Sequence, residues 1–229
     1  LFAGYFFPSG NNAKYSGNRY NIAGRIAGLP IYNTDNGYKV LHLGGGFTRE
    51  EYSNEEASYA ARPEAHLAPK YLKVNFDETS HLYEYDAEII FIYNSFSFAS
   101  EYTHGDVTMG PNSALLKDKY GFYSFFGALS WFITGEHKNY SKTKSAFDRI
   151  KPKRNFRQDG GFGAIELALR YSVLSLDQED VHGGIMNNIT VGVNWYLNPI
   201  TKITFNYINS VINELGKSNI FQMRFQITF

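Results

Sequence analysis

Apolar and polar residues alternate along long stretches of this chain, most clearly near its C-terminal end. In the sequence SNIFQMRFQITF, every second residue from Phe221 to Phe229 is apolar and most of the residues between them are polar. A period of two residues places successive side chains on opposite faces of a β-strand. The pattern therefore predicts a strand with one apolar face that ends on an aromatic residue.

Similar alternation predicts about twelve strands along the chain. They span residues 1–8, 19–29, 38–49, 59–67, 70–76, 82–94, 95–106, 118–137, 160–174, 185–198, 199–211 and 218–229, and the alternation is weakest in the first, fourth and fifth. Most of these strands are longer than the ~5 to 6 residues usual in soluble sheets and match the ~9 to 11 residues that cross a bilayer. We therefore predict an all-β fold over residues 1–229, an antiparallel transmembrane β-barrel of the outer-membrane type.

The connections between the predicted strands also indicate an outer-membrane barrel. Short turns, NPIT and YNSF, fall on the periplasmic side if the C-terminal residue lies there, and longer loops fall on the other side. These loops span residues 9–18, 50–58, 107–117, 174–184 and 209–217. Short periplasmic turns and longer external loops are typical of outer-membrane barrels. Residues 138–159 break this rule, because they form a long connection on the periplasmic side.

A soluble β-sandwich or a lipocalin-like barrel would show the same alternation. In such a protein the apolar face would form the core and the polar face would meet water, and periodicity does not say which face points inward. The strand lengths, the aromatic residues on the apolar face and the terminal Phe229 favour the membrane barrel. Aromatic residues near strand ends, among them Tyr120, Phe122, Trp131 and Trp195, also fit interfacial girdles.

Composition excludes several classes of function. The 22 basic residues balance the 22 acidic residues, so no net positive charge favours nucleic acid. The chain contains no cysteine, which excludes a thiol nucleophile, a disulfide framework and a cysteine-ligated metal. The six histidines are scattered, and no residue set resembles a catalytic constellation, so we expect no enzyme activity, no metal and no cofactor. We also expect any export signal to lie upstream or to have been removed.

The long connection at residues 138–159 is strongly basic. Its cationic residues are Lys138, Lys142, Lys144, Arg149, Lys151, Lys153, Arg154 and Arg157. Basic groups in a narrow passage raise the local concentration of anions, and lysine and arginine both bind phosphate oxygens. This segment is the candidate constriction of an anion pathway. The alternative interpretation is a solvated basic loop at the barrel rim.

The polar faces of the predicted strands supply candidate lumen residues. These are Arg25, Arg62, Glu64, Glu84, Asp86, Glu88, Glu101, Glu136, Glu166, Arg170, Lys202 and Arg224. The apolar faces supply candidate lipid-facing residues, among them Phe221, Met223, Phe225, Ile227, Trp195 and Trp131. Because many of the lumen carboxylates fall on strands next to the basic segment, we expect ion pairs with this acidic wall to hold the segment inside the barrel.

An ordered set of short motifs resembles the phosphate-selective porin family, which contains porins O and P of Gram-negative outer membranes. The motifs include YNIAGRIAGLP, GYKVLHLGGGF, ARPEAHL, WFITGEHKNY, FDRIKPKR, GAIELALRYS and GVNWYLNP, and they extend over nearly the whole chain. The resemblance implies a barrel of about 16 strands, a homotrimer in the outer-membrane lipid, and passive diffusion of small anions such as phosphate through a narrowed pore. It also implies that long connections fold into the lumen.

On this resemblance, the chain would form the C-terminal three-quarters of the barrel, and about four further strands would lie upstream. A barrel left open in lipid would expose two unpaired strand edges, which favours a longer gene product over a smaller closed barrel. The alternative function is a barrel that mainly anchors or scaffolds a larger envelope complex.

Overall fold

The computed structural model describes residues 1–6 and 20–228, and nearly all regular structure in this part of the chain is β-strand. The strands are β1 (Phe2–Phe6), β2 (Asn21–Asn33), β3 (Lys39–Ala61), β4 (Leu72–Tyr93), β5 (Phe96–Met109), β6 (Lys119–Phe132), β7 (Asn139–Ser141), β8 (Ala146–Asp148), β9 (Ala164–Gln178), β10 (Val181–Tyr196), β11 (Thr201–Ile212) and β12 (Gly216–Ile227). A single 3₁₀ turn covers Gln158–Gly160. Within the described ranges, no helix has the length and apolar content needed to cross a membrane.

Ten of these strands form one antiparallel sheet in the order β1-β2-β3-β4-β5-β6-β9-β10-β11-β12. Each strand therefore pairs with its neighbour in sequence, except that β6 pairs with β9 across the basic segment, whose strands β7 and β8 form a separate hairpin. Strands β1 and β12 are the two edges, and no pairing between them occurs within residues 1–6 and 20–228. The predicted all-β, antiparallel fold is confirmed. The predicted loop at 9–18 lies outside the described residues.

The strand count differs from the prediction near the middle of the chain. The predicted strands 59–67 and 70–76 and the predicted loop 50–58 all belong to a long hairpin of β3 and β4, so the sheet contains ten strands. The register of β3 against β4 shifts near Glu51, Glu55 and Ala57. Such bulges interrupt the apolar–polar alternation without ending the strand pairing, which is why the sequence indicated a loop there. The predicted loops 174–184 and 209–217 are likewise mostly strand.

The two faces of the sheet differ in chemistry. We call the face that carries Arg25, Asp86 and Glu166 the inner face, and the opposite face the outer face; the strand pairing keeps each set in register across the sheet. The outer face bears large apolar side chains that remain exposed, such as Leu129 and Phe225. The alternation of the sequence therefore places polar residues on a covered face and apolar residues on an uncovered one.

The far half of the β3–β4 hairpin folds over the inner face. Leu72, Val74 and Phe76 of β4 are buried in one apolar cluster with Val107 of β5 and Met186 of β10. Strands β4 and β10 are separated by three strands in the sheet, so this contact requires the hairpin to cross the inner face. The expected girdle residues Tyr120 and Phe122 also lie in this buried cluster, which corrects their predicted position at a lipid interface.

Candidate functional site: the inner face and its basic segment

The basic segment is folded onto the inner face at the end of the sheet where the short turns lie. Tyr140 of β7 is buried against Val40 of β3 and Ile92 of β4. Its backbone N–H donates to the hydroxyl of Tyr38 (2.9 Å), and the Tyr38 ring stacks on His137 with centroids 3.9 Å apart. The segment thus leaves β6, reaches across the inner face to β3, and returns to β9.

Two inner-face side chains receive Tyr140 at its docking position. The Tyr140 hydroxyl lies 2.5 Å from Nδ1 of His42, whose side chain is fully buried. The other ring nitrogen, Nε2, lies 3.3 Å from the Glu88 carboxylate, which also accepts a hydrogen bond from Nε of Arg25 (3.0 Å). Burial raises the pKa of the Tyr140 hydroxyl above its ordinary value. These contacts fix the far end of the segment by shape and by hydrogen bonding.

A second attachment lies next to β6 and β9. Ile150 is buried against Phe132 and Ala164. The ammonium group of Lys138 lies 3.1 Å from the carboxylate of Glu166, which is 2% exposed, and the hydroxyl of Tyr196 donates to the same carboxylate (2.8 Å). A buried carboxylate needs such partners because removing a charge from water is costly.

We expected ion pairs with an acidic wall to hold the segment, and the described residues contain one such pair. In the described part of the chain, Lys138–Glu166 is the only ion pair that joins a basic side chain of the segment to an inner-face carboxylate. Lys144 pairs with Asp148 inside the segment (3.1 Å). The pKa of Asp148 lies below its ordinary value, mainly because the backbone N–H of Arg149 donates to its carboxylate and also because of Lys144. Apolar packing and backbone contacts therefore attach most of the segment.

Most cations of the segment are consequently not neutralised by a carboxylate within the described residues. Lys142 lies over the ring of Tyr32, with its nitrogen 3.7 Å from the centroid, and Arg157 lies over the ring of Phe156 (5.5 Å). The exposed cations that form no ion pair in the described residues are Lys142, Arg149, Lys151, Lys153, Arg154 and Arg157. The segment is therefore a net positive element on the inner face.

A polar cavity of about 360 Å³ separates the segment from the last strands of the sheet. Lys144, Asp148 and Arg149 of the segment line one side, and Lys202 of β11 lines the other. Lys202 also lies within electrostatic reach of Glu166, Arg224 and Lys138. Three cations and one carboxylate thus line a net positive space that is large enough for a small hydrated anion.

The glycine run of β3 makes room for two inner-face carboxylates. Gly44 pairs with Glu88 and Gly46 pairs with Asp86 across the ladder. A methyl group on Gly44 or Gly46 would overlap the carboxylate of its partner. The missing side chains allow Glu88 to extend over β3 and to reach Arg25 on β2. Glycine within a strand is typical of a site where another group approaches the backbone closely.

Most of the predicted lumen residues lie on inner-face strand positions. These are Arg25, Glu84, Asp86, Glu88, Glu101, Glu166, Arg170, Lys202 and Arg224. Three others lie outside the strands: Arg62 and Glu64 are at the tip of the β3–β4 hairpin, and Glu136 is in the connection after β6, where it accepts a hydrogen bond from the backbone N–H of Lys153 (3.1 Å). Glu84, Asp86 and Glu101 form no ion pair within the described residues.

The predicted lipid-facing residues lie on the outer face. Phe221, Met223, Phe225, Ile227 and Trp131 are exposed there. Trp195 is half-buried, because Phe156 packs edge-on against it (5.1 Å between centroids) and its indole N–H donates to the carbonyl of Phe162 (2.7 Å). The end of the basic segment thus reaches around the sheet and covers this tryptophan.

Sequence reasoning missed two functional contacts. The inner-face position of His42 follows from the alternation of β3, but nothing in the sequence pairs it with Tyr140, which is 98 residues away. The contacts of Glu64 with Arg170 and Ser172 were also missed, because the sequence indicated a strand at residues 59–67 where the chain forms the tip of a hairpin.

Comparison with known proteins agrees with this geometry. The sequence profile of the family described as phosphate-selective porin O and P matches residues 1–229. The chain belongs to this family. Among curated relatives, an uncharacterized protein of Caulobacter vibrioides is 25% identical over 208 residues, which cover 87% of this chain and 38% of the relative. Porin O of Pseudomonas aeruginosa is 24% identical over 104 residues, which cover 42% of this chain and 23% of that porin. The chain thus spans well under half the length of these two curated relatives.

Proposed function

We propose that this chain forms part of an outer-membrane porin through which small anions diffuse passively. The observation that carries the proposal is the basic segment folded onto a polar inner face, where, among residues 1–6 and 20–228, one cation of the segment is paired to an inner-face carboxylate. Membership of the phosphate-selective porin O and P family supports the same function, and phosphate is the anion that it suggests.

The outer face supports insertion into lipid. Its exposed side chains are large and apolar over successive strands, from Leu43 of β3 to Phe225 of β12. Exposed apolar surface of this extent is unfavourable in water but matches the lipid-facing band of a membrane barrel. The polar inner face would then line a water-filled lumen.

The ten strands of this sheet do not close on themselves, because no pairing joins β1 to β12 within residues 1–6 and 20–228. Backbone groups left unpaired at these two edges could not be satisfied by lipid. In the proposed barrel of about 16 strands, further strands of the same polypeptide would join the two edges. The proposed assembly is a homotrimer in the outer membrane of a Gram-negative bacterium, without enzyme activity or cofactor.

The proposed constriction lies where the segment crosses the inner face. A solute passing this level meets the cations that border the polar cavity, including Arg149 and Lys202. In a narrow passage of low dielectric, such charges raise the concentration of anions and lower that of cations. Because the wall carboxylates neutralise few of the segment's cations, we expect a stronger preference for anions than ion pairing along the whole segment would allow.

Single-channel recording of the complete polypeptide in planar bilayers tests the proposal. Deletion of residues 141–157 should raise the conductance, because it removes the hairpin that narrows the passage. A matched variant that replaces Lys151, Lys153 and Arg154 by glutamine keeps the hairpin and should leave the pore size unchanged. An unchanged conductance after the deletion would contradict the constriction, and the absence of any conductance would favour the alternative, an outer-membrane barrel that serves as an anchor or scaffold.

A further inference from the structure

The β3–β4 hairpin is attached to the inner face in two chemically different ways. Its arm, residues 55–61 and 72–79, is held by apolar packing, with Leu72 and Phe76 almost fully buried. Its tip, residues 62–71, combines the buried side chains of Pro63 and Ala65 with polar contacts to the wall made by Glu64 and Tyr71. Apolar packing of this kind is lost only when the whole arm moves, whereas a few hydrogen bonds can break and re-form locally.

Glu64 makes the central contacts of the tip. Its carboxylate accepts hydrogen bonds from Nε of Arg170 (2.7 Å), from the Ser172 hydroxyl (2.6 Å) and from the Thr190 hydroxyl (2.5 Å). Its backbone has φ of 47°, a left-handed conformation that glutamate rarely adopts. Glu64 thus gives the tip its only charged side chain bonded to the wall within the described residues, and it does so in an uncommon backbone conformation.

A row of polar side chains crosses the wall behind the tip. Ser172, Asn188, Ser210 and Ser218 are successive partners across β9 to β12. Glu64 contacts Ser172 at one end of the row, and the hydroxyl of Tyr71 lies 3.2 Å from that of Ser218 at the other. The tip therefore covers the row between these two contacts.

The covered row contains polar atoms without partners. Asn188 is 3% exposed and Ser210 is 0% exposed, and within the described residues neither Oδ1 of Asn188 nor Oγ of Ser210 has a hydrogen-bond partner. Water would hydrogen-bond to these side chains if the tip moved away. The wall behind the tip is thus polar, although it lies covered.

We propose that residues 62–71 form a releasable tip and that Glu64 is the positioning residue that latches it to the wall. Release uncovers the Ser172–Ser218 row and leaves Arg170 without its carboxylate. Arg170 stays on the wall because its guanidinium lies over the ring of Phe126 (3.8 Å). The released state is therefore wider and more positive on the inner face, and the arm remains in place. The consequence for conduction rests on the proposed porin function; the motion of the tip does not.

Cysteine labelling tests the motion directly, because the chain has no native cysteine. In the complete polypeptide, Ser210→Cys reports on the covered row, Val107→Cys reports on the wall under the arm, and Gln222→Cys is an inner-face reference away from the tip. A small charged thiosulfonate should label Ser210→Cys more slowly than Gln222→Cys. Adding Glu64→Gln should raise the Ser210→Cys rate by about tenfold, since it replaces charge-assisted hydrogen bonds by neutral ones, and should leave Val107→Cys unreactive.

Two labelling results would overturn the latch. One is an equal Ser210→Cys rate with glutamate or glutamine at position 64, and the other is Ser210→Cys labelling as fast as Gln222→Cys while Glu64 is intact. Glu64→Gln preserves the size of the side chain and part of its hydrogen bonding, and unchanged protection of Val107→Cys shows that the arm is still folded.

Single-channel recording separates the latch from a simple change of charge. Glu64→Gln should add a larger conductance state and increase anion preference. The control Glu101→Gln also removes one inner-face carboxylate. Because Glu101 has no hydrogen bond or ion pair with residues 62–71 in the described part of the chain, this variant should shift the reversal potential without a new conductance state. The same conductance pattern in both variants would contradict the latch. The labelling rates report the position of the tip even if the polypeptide does not conduct. Failure of the porin proposal can therefore be told apart from failure of the latch.

Discussion

The attachment of the basic segment by Tyr140 and Ile150 leads to a quantitative prediction. Both side chains are 7% exposed, and they lie at the two ends of the contact between the segment and the sheet. Truncating both to alanine removes the main apolar contacts of the segment and leaves every basic side chain in place. We expect the double variant to release the segment from the inner face.

The size of the effect follows from the buried side chains. Truncation of a buried isoleucine to alanine costs about 2 to 5 kcal/mol, and truncation of a large aromatic costs about 3 to 5 kcal/mol. The segment can relax around each truncated side chain, so we take the lower value of each range. The two costs together amount to about 5 kcal/mol. At about 1.4 kcal/mol per factor of ten, the released population rises more than about a thousandfold.

Limited trypsin digestion of the solubilised complete polypeptide measures this population. The segment contains eight lysine and arginine residues, and release from the inner face makes the backbone beside them more accessible to the protease. The double variant should be cleaved between residues 138 and 157 much faster than the native chain. The conservative control, Tyr140→Phe with Ile150→Val, keeps most of the apolar contact and should be cleaved only slightly faster. Equal cleavage of the native chain and the double variant would refute the attachment.

Three further predictions concern single positions. Met223→Lys, on the outer face, should destabilise the protein in lipid by about 2 to 4 kcal/mol if the site lies near the bilayer midplane, whereas Gln222→Lys should be nearly neutral; urea titration in vesicles measures both, and equal costs would contradict the assignment of the faces. Gly44→Ala should cost about 1 to 3 kcal/mol, because its methyl group overlaps the opposite carboxylate, while Gly28→Ala, which has nothing within 4 Å of the added atom, should cost less in the same titration. Glu166→Gln should leave the charge of Lys138 without its carboxylate and increase anion preference. An unchanged reversal potential would contradict a role of this ion pair in charge selectivity.

Alternation of side chains was sufficient to predict the two faces of the sheet. Phe221, Met223 and Phe225 lie on the outer face and Arg224 on the inner face, as the period of two required. This success has a simple cause, since side-chain direction in a strand depends only on parity. Strand ends in the second half of the chain were also close to the predicted ones.

Alternation could not predict where a strand folds back. Leu72, Val74 and Phe76 alternate with polar residues as a lipid-facing strand would, yet they pack on the inner face in a shared core. The register irregularities near Thr79 and Glu55 mark the bend, but bulges carry no strong sequence signal. The sequence therefore indicated two separate strands where the chain forms the far half of one hairpin.

Charge patterns were similarly limited for the basic segment. The sequence shows cations in the segment and carboxylates on the wall, but ion pairing depends on distances that sequence does not contain. Glu88 binds Arg25 of the sheet itself, and Glu136 accepts the backbone N–H of Lys153. Glu88 is thus occupied by a donor of the sheet and Glu136 by a backbone group of the segment, so neither carboxylate neutralises a basic side chain of the segment.

The reversal potential of the complete polypeptide in a salt gradient shows whether the pathway prefers anions. In planar bilayers with unequal KCl concentrations, we predict a zero-current potential of the sign given by chloride permeation, and a smaller value when Lys151, Lys153 and Arg154 are replaced by glutamine. A potential of the sign given by potassium permeation, or one that these replacements leave unchanged, would contradict an anion pathway built on the basic segment.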